Sequence, residues 1–354
     1  MKIKLLNATL TGLVIISAYT AKAQQDPYTT HYAFNRMLYN PAVAGAGDKF
    51  CFTALSHHQY LGYEDRTPEF WPQTPGDNAR PLAVRSVGPK TQMFSASAPI
   101  TKYGGLGIGF INDRLAYETS THIKIDAAGR LPLSNGATIA VGLEVNFLRK
   151  GLDGALLKPL VSNDPSIPNR NVGESHPIFG TGLYYTDPMA NSTKYKNLWV
   201  GFSILNLNSP SYTFGPQATS FSVPVKHYYL MGGITIQDFL GNPDLQFHPS
   251  FMFKRAGVNQ IDLTGLVEYQ KKLWGGLAYR STADAISVML GYSGFKKTFE
   301  GLRIGYSYDL TLTRILSVSS GTHEIQLNYC FAFKYTPPEK VPLVTPPFMH
   351  RDSD

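Results

Sequence analysis

The chain of 354 residues has only two cysteines, few charged residues and no long apolar run after its first 23 residues. Two cysteines exclude a small disulfide-rich scaffold. Because a transmembrane helix needs about 18 or more consecutive apolar residues, the sequence after residue 23 predicts none. Charged residues make up 16% of the chain, against about 25% in typical soluble domains, which indicates elements whose faces lack ordinary charged solvation.

The formal net charge of +7 does not indicate a nucleic-acid partner. No run of Lys or Arg is longer than two residues, and the pairs Lys271-Lys272 and Lys296-Lys297 lie near predicted turns. Nucleic-acid-binding domains concentrate their basic residues on one face. We therefore expect a mildly basic, solvated surface and no nucleic-acid partner.

The first 23 residues have the pattern of a secretory signal peptide. Lys2 and Lys4 precede a mostly apolar stretch, and Ala21-Lys22-Ala23 forms a small-x-small cleavage site. A membrane-anchoring helix is the weaker alternative, because polar residues interrupt the apolar stretch. We expect export, with a mature chain that begins near Gln24.

Tyrosine, phenylalanine and glycine are abundant, with 21 Tyr, 20 Phe and 32 Gly, and apolar residues recur at every second position. In the window 137–147, Val141 and Leu143 share an apolar face, whereas Gly142 and Glu144 lie on the other face. Fourteen such runs are expected, at approximately 49–59, 91–98, 104–112, 119–131, 136–148, 175–185, 196–206, 225–236, 244–254, 258–270, 272–281, 284–294, 299–310 and 322–334.

A soluble β-sandwich also alternates, so the connections between the runs decide between the two folds. Long connections follow odd-numbered runs, at 60–90, 149–174, 207–224 and 311–321, and short ones follow even-numbered runs, at 99–103, 133–135 and 297–299. Such loops, an even strand number and aromatic-ended apolar faces are features of membrane barrels, whose closure leaves no backbone group unpaired in lipid. The connection 187–195 is too long for this rule.

The sequence therefore predicts an all-β protein, a transmembrane antiparallel β-barrel of about 14 strands with an N-terminal periplasmic or plug segment. The expected division is a signal peptide at 1–23, the N-terminal segment at 24–48, an outer-membrane barrel at 49–334 and a Pro-rich periplasmic tail at 335–354. Both termini are expected in the periplasm. Proline pairs favour extended polyproline II in the tail, which is either a docking peptide or a disordered end.

The segment "QQDPYTTHYAFNRMLYNPAVAGA" (24–46) resembles the mature N-terminus of the PorP/SprF family, outer-membrane proteins of the type IX secretion and gliding machinery of Bacteroidetes. The matching residues are Gln25, Asp26, Pro27, Tyr32, Phe34, Asn35, Asn40, Pro41, Ala42, Ala44 and Gly45. A second motif joins a Tyr-Ser-Tyr-Asp strand end to Gly-Thr-His-Glu at the start of the last strand. Its residues are Tyr308, Asp309, Gly321, Thr322 and Glu324.

The resemblance has one departure and several implications. The family has an Arg ahead of a Gln-Trp-x-Gly element where this chain has His57-His58-Gln59-Tyr60, a difference that we place at the outer rim. The resemblance implies a role in secretion or surface retention of cargo such as adhesins. The implied partners are the cargo or an adhesin C-terminal domain, periplasmic lipoprotein or peptidoglycan-binding components, and outer-membrane lipid. A passive diffusion porin and a soluble lectin-like sandwich stay open as alternatives.

The resemblance also suggests a place for the N-terminal segment. Residues 25–45 would enter the barrel from the periplasmic side and plug it, with Phe34, Leu38 and Tyr39 against lumen side chains. Asn40-Pro41 punctuates the chain, and Gly45 would permit the bend into the first strand. The alternative is a loose periplasmic tail.

No pattern in the sequence predicts an enzyme, a cofactor or a metal site. The nine histidines lack metal-ligand spacing, and His57-His58 is interpreted as a pair at a strand rim. Gly105-x-Gly107-x-Gly109 is not followed by a helix, so small lumen-facing residues explain it better than a phosphate loop. Charged residues of the inner face are expected to line a water-facing interior: Lys124, Asp126, Arg130, Glu144, Asp262, Glu268, Arg303, Asp309 and Glu324.

The two cysteines fall in the first and the last predicted strand, which are neighbours in a closed barrel. Cys51 and Cys330 both belong to the inner face, because Phe50 and Phe52 point outward together with Tyr329 and Phe331. A disulfide across this seam depends on the strand register, which the sequence leaves open. An oxidising periplasm would permit it.

Overall fold

The computed structural model describes residues 27, 29–47, 49–65, 85–86, 88–157, 168, 170–213, 221–281, 285–296, 299–311 and 319–332. The predicted signal peptide at 1–23, Gln25, Asp26 and the Pro-rich tail at 335–354 lie outside the described residues and stay predictions.

Fourteen strands of the described residues form one closed barrel. They are β1 Lys49–His58, β2 Lys90–Thr101, β3 Gly104–Leu115, β4 Glu118–Pro132, β5 Thr138–Asp153, β6 Asn171–Asp187, β7 Tyr195–Leu205, β8 His227–Ile236, β9 Leu245–Ala256, β10 Val258–Tyr269, β11 Leu273–Arg280, β12 Ala285–Tyr292, β13 Leu302–Thr311 and β14 Thr322–Ala332. Each strand pairs antiparallel with its neighbours, and β14 closes the barrel on β1. The prediction of a 14-stranded antiparallel barrel is confirmed.

The barrel has two different rims. β1 and β14 meet at Lys49 and Ala332, and we call that end the short-turn rim. At the opposite end, the long-loop rim, lie the strand ends that flank the four long connections, together with tight turns at 116–117 and Gly257. Two short hairpins belong to its long loops, Glu64–Asp65 with Arg85–Ser86 and Tyr212–Thr213 with Phe221–Ser222. The connection after Asp187 stays long at the short-turn rim, as expected.

The two faces of the wall have opposite chemistry. In β5, Leu143 is 65% exposed on the outer face, whereas Glu144 beside it is only 2% exposed. Leu106, Ile108 and Phe110 of β3 likewise point outward and alternate with glycines. An apolar exterior with polar or small residues inside is the arrangement of a barrel that spans a membrane. Among the described residues, no helix has the length and apolarity that a membrane crossing requires.

Candidate functional site: the segment inside the barrel

Residues 29–47, which we call the plug, lie inside the barrel. The plug contains three single 3-10 turns, Tyr32–Phe34, Arg36–Leu38 and Pro41–Val43. Leu38, Tyr39 and other apolar plug residues are buried against the inner wall. Short turns suit this sequence because its apolar residues are too closely interrupted by polar ones to give a long helix one apolar face.

The plug runs the full height of the barrel. It joins β1 at the short-turn rim, where a side chain at Gly45 would collide with Ala98 and Arg130. Its other end lies near the long-loop rim, since Pro27, just ahead of the plug, borders the same small cavity as Asp113 and His227. The plug joins the barrel at the predicted rim. The periplasmic position of the N-terminus, which lies outside the described residues, stays a prediction.

A single buried carboxylate binds the upper end of the plug, by which we mean the end at the long-loop rim. Glu324 accepts hydrogen bonds from the backbone N–H groups of Thr30 (3.1 Å) and His31 (2.9 Å). It also accepts from Nδ1 of His31 at 2.5 Å and from Nδ1 of His57 at 2.7 Å. The side chains of His31, His57 and Glu324 are fully shielded from solvent. Glu324 therefore joins the plug to both strands of the barrel seam.

His57 and His58 lie at the end of β1, at the rim as expected, but they do not share a face. Successive residues of a strand point to opposite faces. His57 is fully buried in the lumen, whereas His58 faces outward and contacts Ser56 at 3.0 Å. The departure from the family pattern at His57 is thus part of the contact between the plug and the seam.

Asp309 is the centre of a second buried network beside the plug. It accepts a hydrogen bond from Oγ1 of Thr30 at 3.2 Å, and the guanidinium of Arg280 lies 3.4 Å away. Arg280 also lies 3.7 Å from Asp262, whose carboxylate accepts from Gln260 at 2.8 Å. The charged residues are therefore paired with one another and with the plug.

The prediction that the inner-face charges line a water-facing interior is wrong for the long-loop half of the barrel. Lys124, Asp126, Glu144, Asp309 and Glu324 are each 3% exposed or less. The reason is the plug, which displaces water from the space between them. Buried charges are costly unless they are paired. Lys124 pairs with Glu144, and Asp309 and Glu324 bind the plug. Neither oxygen of Asp126, by contrast, has a hydrogen-bond partner among the described residues.

Donors on the wall satisfy the free carbonyl groups of the plug. Lys124 donates to the carbonyl of Leu38 at 2.9 Å and to Glu144 at 3.0 Å. Ser203 donates to the carbonyl of Tyr39 at 2.5 Å, and Arg130 donates to that of Ala44. Buried backbone groups of an irregular segment need such partners, because each group left without one destabilises the fold.

Asn40 explains the Asn-Pro motif. Its side-chain oxygen accepts from the N–H of Ala42 at 3.0 Å and caps the third turn, with Pro41 as the first residue of that turn. Its Nδ2 donates to the carbonyl of Leu183 at 2.9 Å. A Cβ on Gly182 would overlap the oxygen of Asn40, so glycine in the wall is what admits this side chain.

The aromatic residues of the plug pack on aromatic and polar residues of the wall. Tyr32 donates a hydrogen bond to Ser250 at 3.2 Å, and burial raises the pKa of Tyr32 to about 12. The ring of Phe34 lies 5.0 Å from that of Trp274 and 4.9 Å from the guanidinium of Arg303. Asn35 accepts from Ser95 at 2.8 Å.

The structure joins the two cysteines across the seam. Cys51 and Cys330 are directly paired in the register of β1 and β14, and their sulfurs are bonded. Both residues line the inside of the barrel near the short-turn rim. Asn328 donates to Thr53 at 2.8 Å in the next inward-facing pair. The inner face of the seam thus carries a disulfide, the Asn328–Thr53 hydrogen bond and the contact between His57 and Glu324.

We expect the denatured, unreduced protein to contain no free thiol, and Cys51→Ser/Cys330→Ser to unfold at lower denaturant concentration. The disulfide closes a loop with a sequence separation of 279 residues, and losing a disulfide typically costs about 2–4 kcal/mol. Thiol titration with and without reductant, followed by urea unfolding in detergent, measures both effects. Two thiols in the unreduced sample would contradict the disulfide.

Beside the plug, towards the short-turn rim, the lumen opens into a large cavity, which we call the vestibule. Its volume is about 1380 Å³, and its lining includes Lys102, Gly136 and Pro188 of the short-turn rim. Arg36 forms part of its ceiling, where its guanidinium donates to the hydroxyl of Tyr184 at 2.6 Å and stacks 4.5 Å from the ring of Trp199. The lumen is therefore filled in its long-loop half and hollow in its short-turn half.

The comparison with protein families decides the identity of this plugged barrel. The model of the family described as "Type IX secretion system membrane protein PorP/SprF" matches residues 21–329. The chain belongs to the PorP/SprF family. Together with the membrane-spanning barrel, this membership makes the protein an outer-membrane component of type IX secretion.

Solved barrels resemble this PorP/SprF protein only distantly. A monoaromatic hydrocarbon channel, the TodX deltaS2S3 mutant, is 12% identical over 86% of this chain and 95% of its own, with a TM-score of 0.46. A FadL homologue of Pseudomonas aeruginosa is 13% identical over 88% and 96%, with a TM-score of 0.40. The toluene transporter TodX of Pseudomonas putida is 10% identical over 86% and 93%, with a TM-score of 0.43. No curated protein matches the chain.

The PorP/SprF motif residues fall into two groups in space. Tyr32, Phe34, Asn35, Asn40 and Pro41 belong to the plug, and Asp309 and Glu324 bind its upper end. Thr322 is also buried and accepts from the N–H of Tyr60 at 3.2 Å. Tyr308 and Gly321 lie apart from the lumen. The hydroxyl of Tyr308 donates to the carbonyl of Ser320 at 3.3 Å, over Gly321, which has a φ of +85°.

Sequence reasoning missed three residues that the plug of this PorP/SprF protein uses. Thr30, His31 and Arg280 take part in the buried networks around Glu324 and Asp309. Thr30 and His31 lie between matched motif positions, which is the only signal that could have indicated them. Within the described residues, no cluster of three or more His, Cys, Asp or Glu side chains could hold a metal ion.

Proposed function

We propose that this protein supports the secretion or surface retention of type IX cargo such as adhesins, with partners on both sides of the outer membrane. The observation that carries the proposal is the filled lumen. A segment fixed to the wall by buried charged residues leaves a closed scaffold rather than an open conduit. The long-loop rim then offers a surface for cargo or an adhesin C-terminal domain, and the short-turn rim faces periplasmic secretion components.

A passive diffusion porin is the second candidate, and the vestibule is the feature that favours it, because it already provides a hollow half-lumen of about 1380 Å³. The plug argues against a porin function. A porin needs a continuous water-filled path, whereas the tethers of Thr30 and His31 to Glu324 cross the lumen at its long-loop end. The proposed role involves no catalysis.

A deletion strain tests the proposal. We expect loss of the protein to reduce the amount of adhesin-type cargo at the cell surface and to release cargo or trap it in the periplasm. Re-expression of the native chain should restore the cargo at the cell surface. In a binding assay, the immobilised native barrel should retain the cargo C-terminal domain. Normal cargo distribution in the deletion strain would contradict the secretion role. Steady high conductance of the purified native protein in planar bilayers would support the porin instead.

A further inference from the structure

The vestibule carries more positive than negative charge. Its lining includes the cations Arg36, Lys102, Arg130 and Arg303, against the carboxylates of Asp187 and Glu268. Glu268 is already engaged, since Arg303 lies 3.4 Å from one of its oxygens and His248 lies 3.4 Å from the other. The charge of Arg303 is therefore compensated within the protein.

Three cations of the vestibule have no such compensation. Among the described residues, no carboxylate lies within salt-bridge distance of Arg36, Lys102 or Arg130. Arg36 donates to a tyrosine hydroxyl, Arg130 donates to the carbonyl of Ala44, and Lys102 lies over the ring of Tyr103 at 4.8 Å. Each group keeps N–H donors that an anion could use.

The remaining carboxylate, Asp187, offsets at most one of these three charges. It accepts from the N–H of Met189 at 2.7 Å and from the hydroxyl of Tyr185 at 3.2 Å, so its oxygens are used within its own turn. The lining therefore keeps an excess of positive charge, and such an excess in a cavity with low-dielectric walls concentrates the field and attracts ligands of the opposite charge.

The size of the vestibule indicates a ligand larger than a metabolite. Pockets for small molecules usually have volumes of about 300–1,000 Å³, whereas this cavity measures about 1380 Å³ and reaches the rim at Lys102 and Pro188. The rings of Trp199 and Phe34 and the edge of the plug at Gly47 provide apolar and backbone surface between the cations. Such a lining suits an extended chain with several carboxylates.

We propose that the vestibule binds an extended peptide segment rich in Asp and Glu, which enters from the short-turn rim and pairs with Arg36, Lys102 and Arg130. Guanidinium groups bind carboxylates through two parallel hydrogen bonds, so Arg36 and Arg130 select carboxylates at the ceiling and the wall. Lys102 meets the segment at the entrance. That the segment belongs to a periplasmic protein rests on the proposed function, whereas the binding itself does not.

Calorimetry with synthetic peptides and the full-length barrel in neutral detergent tests the inference. We expect decaglutamate to bind and decaglutamine not to bind, with affinity that falls as salt rises because the contacts are ionic. Arg36→Gln should weaken binding about tenfold and Lys102→Gln about threefold, since a half-buried guanidinium contributes more than an exposed ammonium. Arg255→Gln, which removes an exposed charge at the long-loop rim, is the matched control and should bind as the native chain does.

Lys102→Gln keeps the test decisive if Arg36→Gln disturbs the plug, because Lys102 is exposed at the rim and its ammonium lies over the ring of Tyr103, away from the plug's hydrogen bonds. Equal binding of decaglutamine would overturn the inference, and so would variants that match Arg255→Gln. Equal affinity for free glutamate would show that the vestibule binds a small anion and not a peptide. A lipid headgroup would be the ligand if phosphatidylglycerol micelles displaced decaglutamate and an excess of acidic peptide of another sequence did not.

The two proposals fail in different experiments. Decaglutamate binding with normal cargo distribution in the deletion strain would remove the secretion role and leave the vestibule site. Defective cargo distribution without decaglutamate binding would remove the vestibule site and leave the secretion role.

Discussion

Glu324→Ala is expected to release the upper end of the plug and to lower the free energy of unfolding by about 3–5 kcal/mol, the cost of removing one partner from a buried charged network. Glu324 accepts from the N–H of Thr30, from the N–H and Nδ1 of His31, and from Nδ1 of His57. Alanine would leave these four donors facing an apolar methyl group in a site that water does not reach.

Urea unfolding in detergent and single-channel recording measure the two parts of this result. Glu174→Ala is the matched control, because Glu174 also contacts a histidine, His176 at 3.5 Å, but the side chains of both residues are more than a third exposed. Exposed pairs contribute about 0–1 kcal/mol, so the control should stay near the native value and stay closed. Glu324→Ala should in addition show intermittent conductance as the freed end leaves the lumen.

A double-mutant cycle with His57→Ala separates this network from a general loss of packing. Once Glu324 is absent, the 2.7 Å contact of His57 with the carboxylate is already lost, so the double variant should cost clearly less than the sum of the single variants. Additive costs would show that Glu324 and His57 act independently. An unfolding free energy of Glu324→Ala within about 1 kcal/mol of the native value would show that the carboxylate does not hold the plug.

The wall of the barrel could be predicted from the sequence because its determinants are local. Alternation places Leu143 outside and Glu144 inside whatever the partner strand is, and a repeat of glycines in β3 marks the inner face in the same way. The structure adds the reason for these glycines. A Cβ on Gly109 would approach a methyl of Leu38 to 2.7 Å, so the wall is thinned where the plug passes.

The contacts of the lumen could not be predicted, because they join residues that are far apart in the chain. His31 and Glu324 are separated by 293 residues, and no local pattern relates them. The two cysteines show which part of a contact the local sequence predicts and which part it does not. Alternation places Cys51 and Cys330 on the same face of neighbouring strands, whereas the register that pairs them is set by the closure of the whole barrel.

The prediction of a water-facing lumen was wrong for the same reason, because it depends on a segment that is distant in the chain. Inner-face charges such as Asp126 are normal in a hydrated barrel interior, and the sequence of a strand does not reveal what covers it. Only the path of the plug shows that Lys124 binds the carbonyl of Leu38 instead of water. The family motif contained this information in part, since Asn40 and Glu324 are the residues that fix the two halves of the plug.

Gly142→Val is expected to expel the middle of the plug without altering any charged group. A Cβ at this position would overlap the backbone of Pro41 and Ala42, and backbone atoms cannot turn aside as a side chain can. Forcing additional atoms into a packed interior costs about 1–3 kcal/mol, and occasionally more. Gly129→Val is the matched control in the neighbouring strand, because a Cβ there meets no atom within 4 Å.

The decisive measurement combines Gly142→Val with deletion of residues 29–44. Without the plug there is nothing for the valine to strike, so the substitution should lower the unfolding free energy of the native chain but leave that of the deletion variant unchanged. The deletion variant should conduct steadily through the emptied lumen, and Gly142→Val alone should conduct in part. If the valine destabilises the native chain and the deletion variant equally, its effect arises within the wall. Gly142 would then not be needed for the close approach of Pro41 to β5.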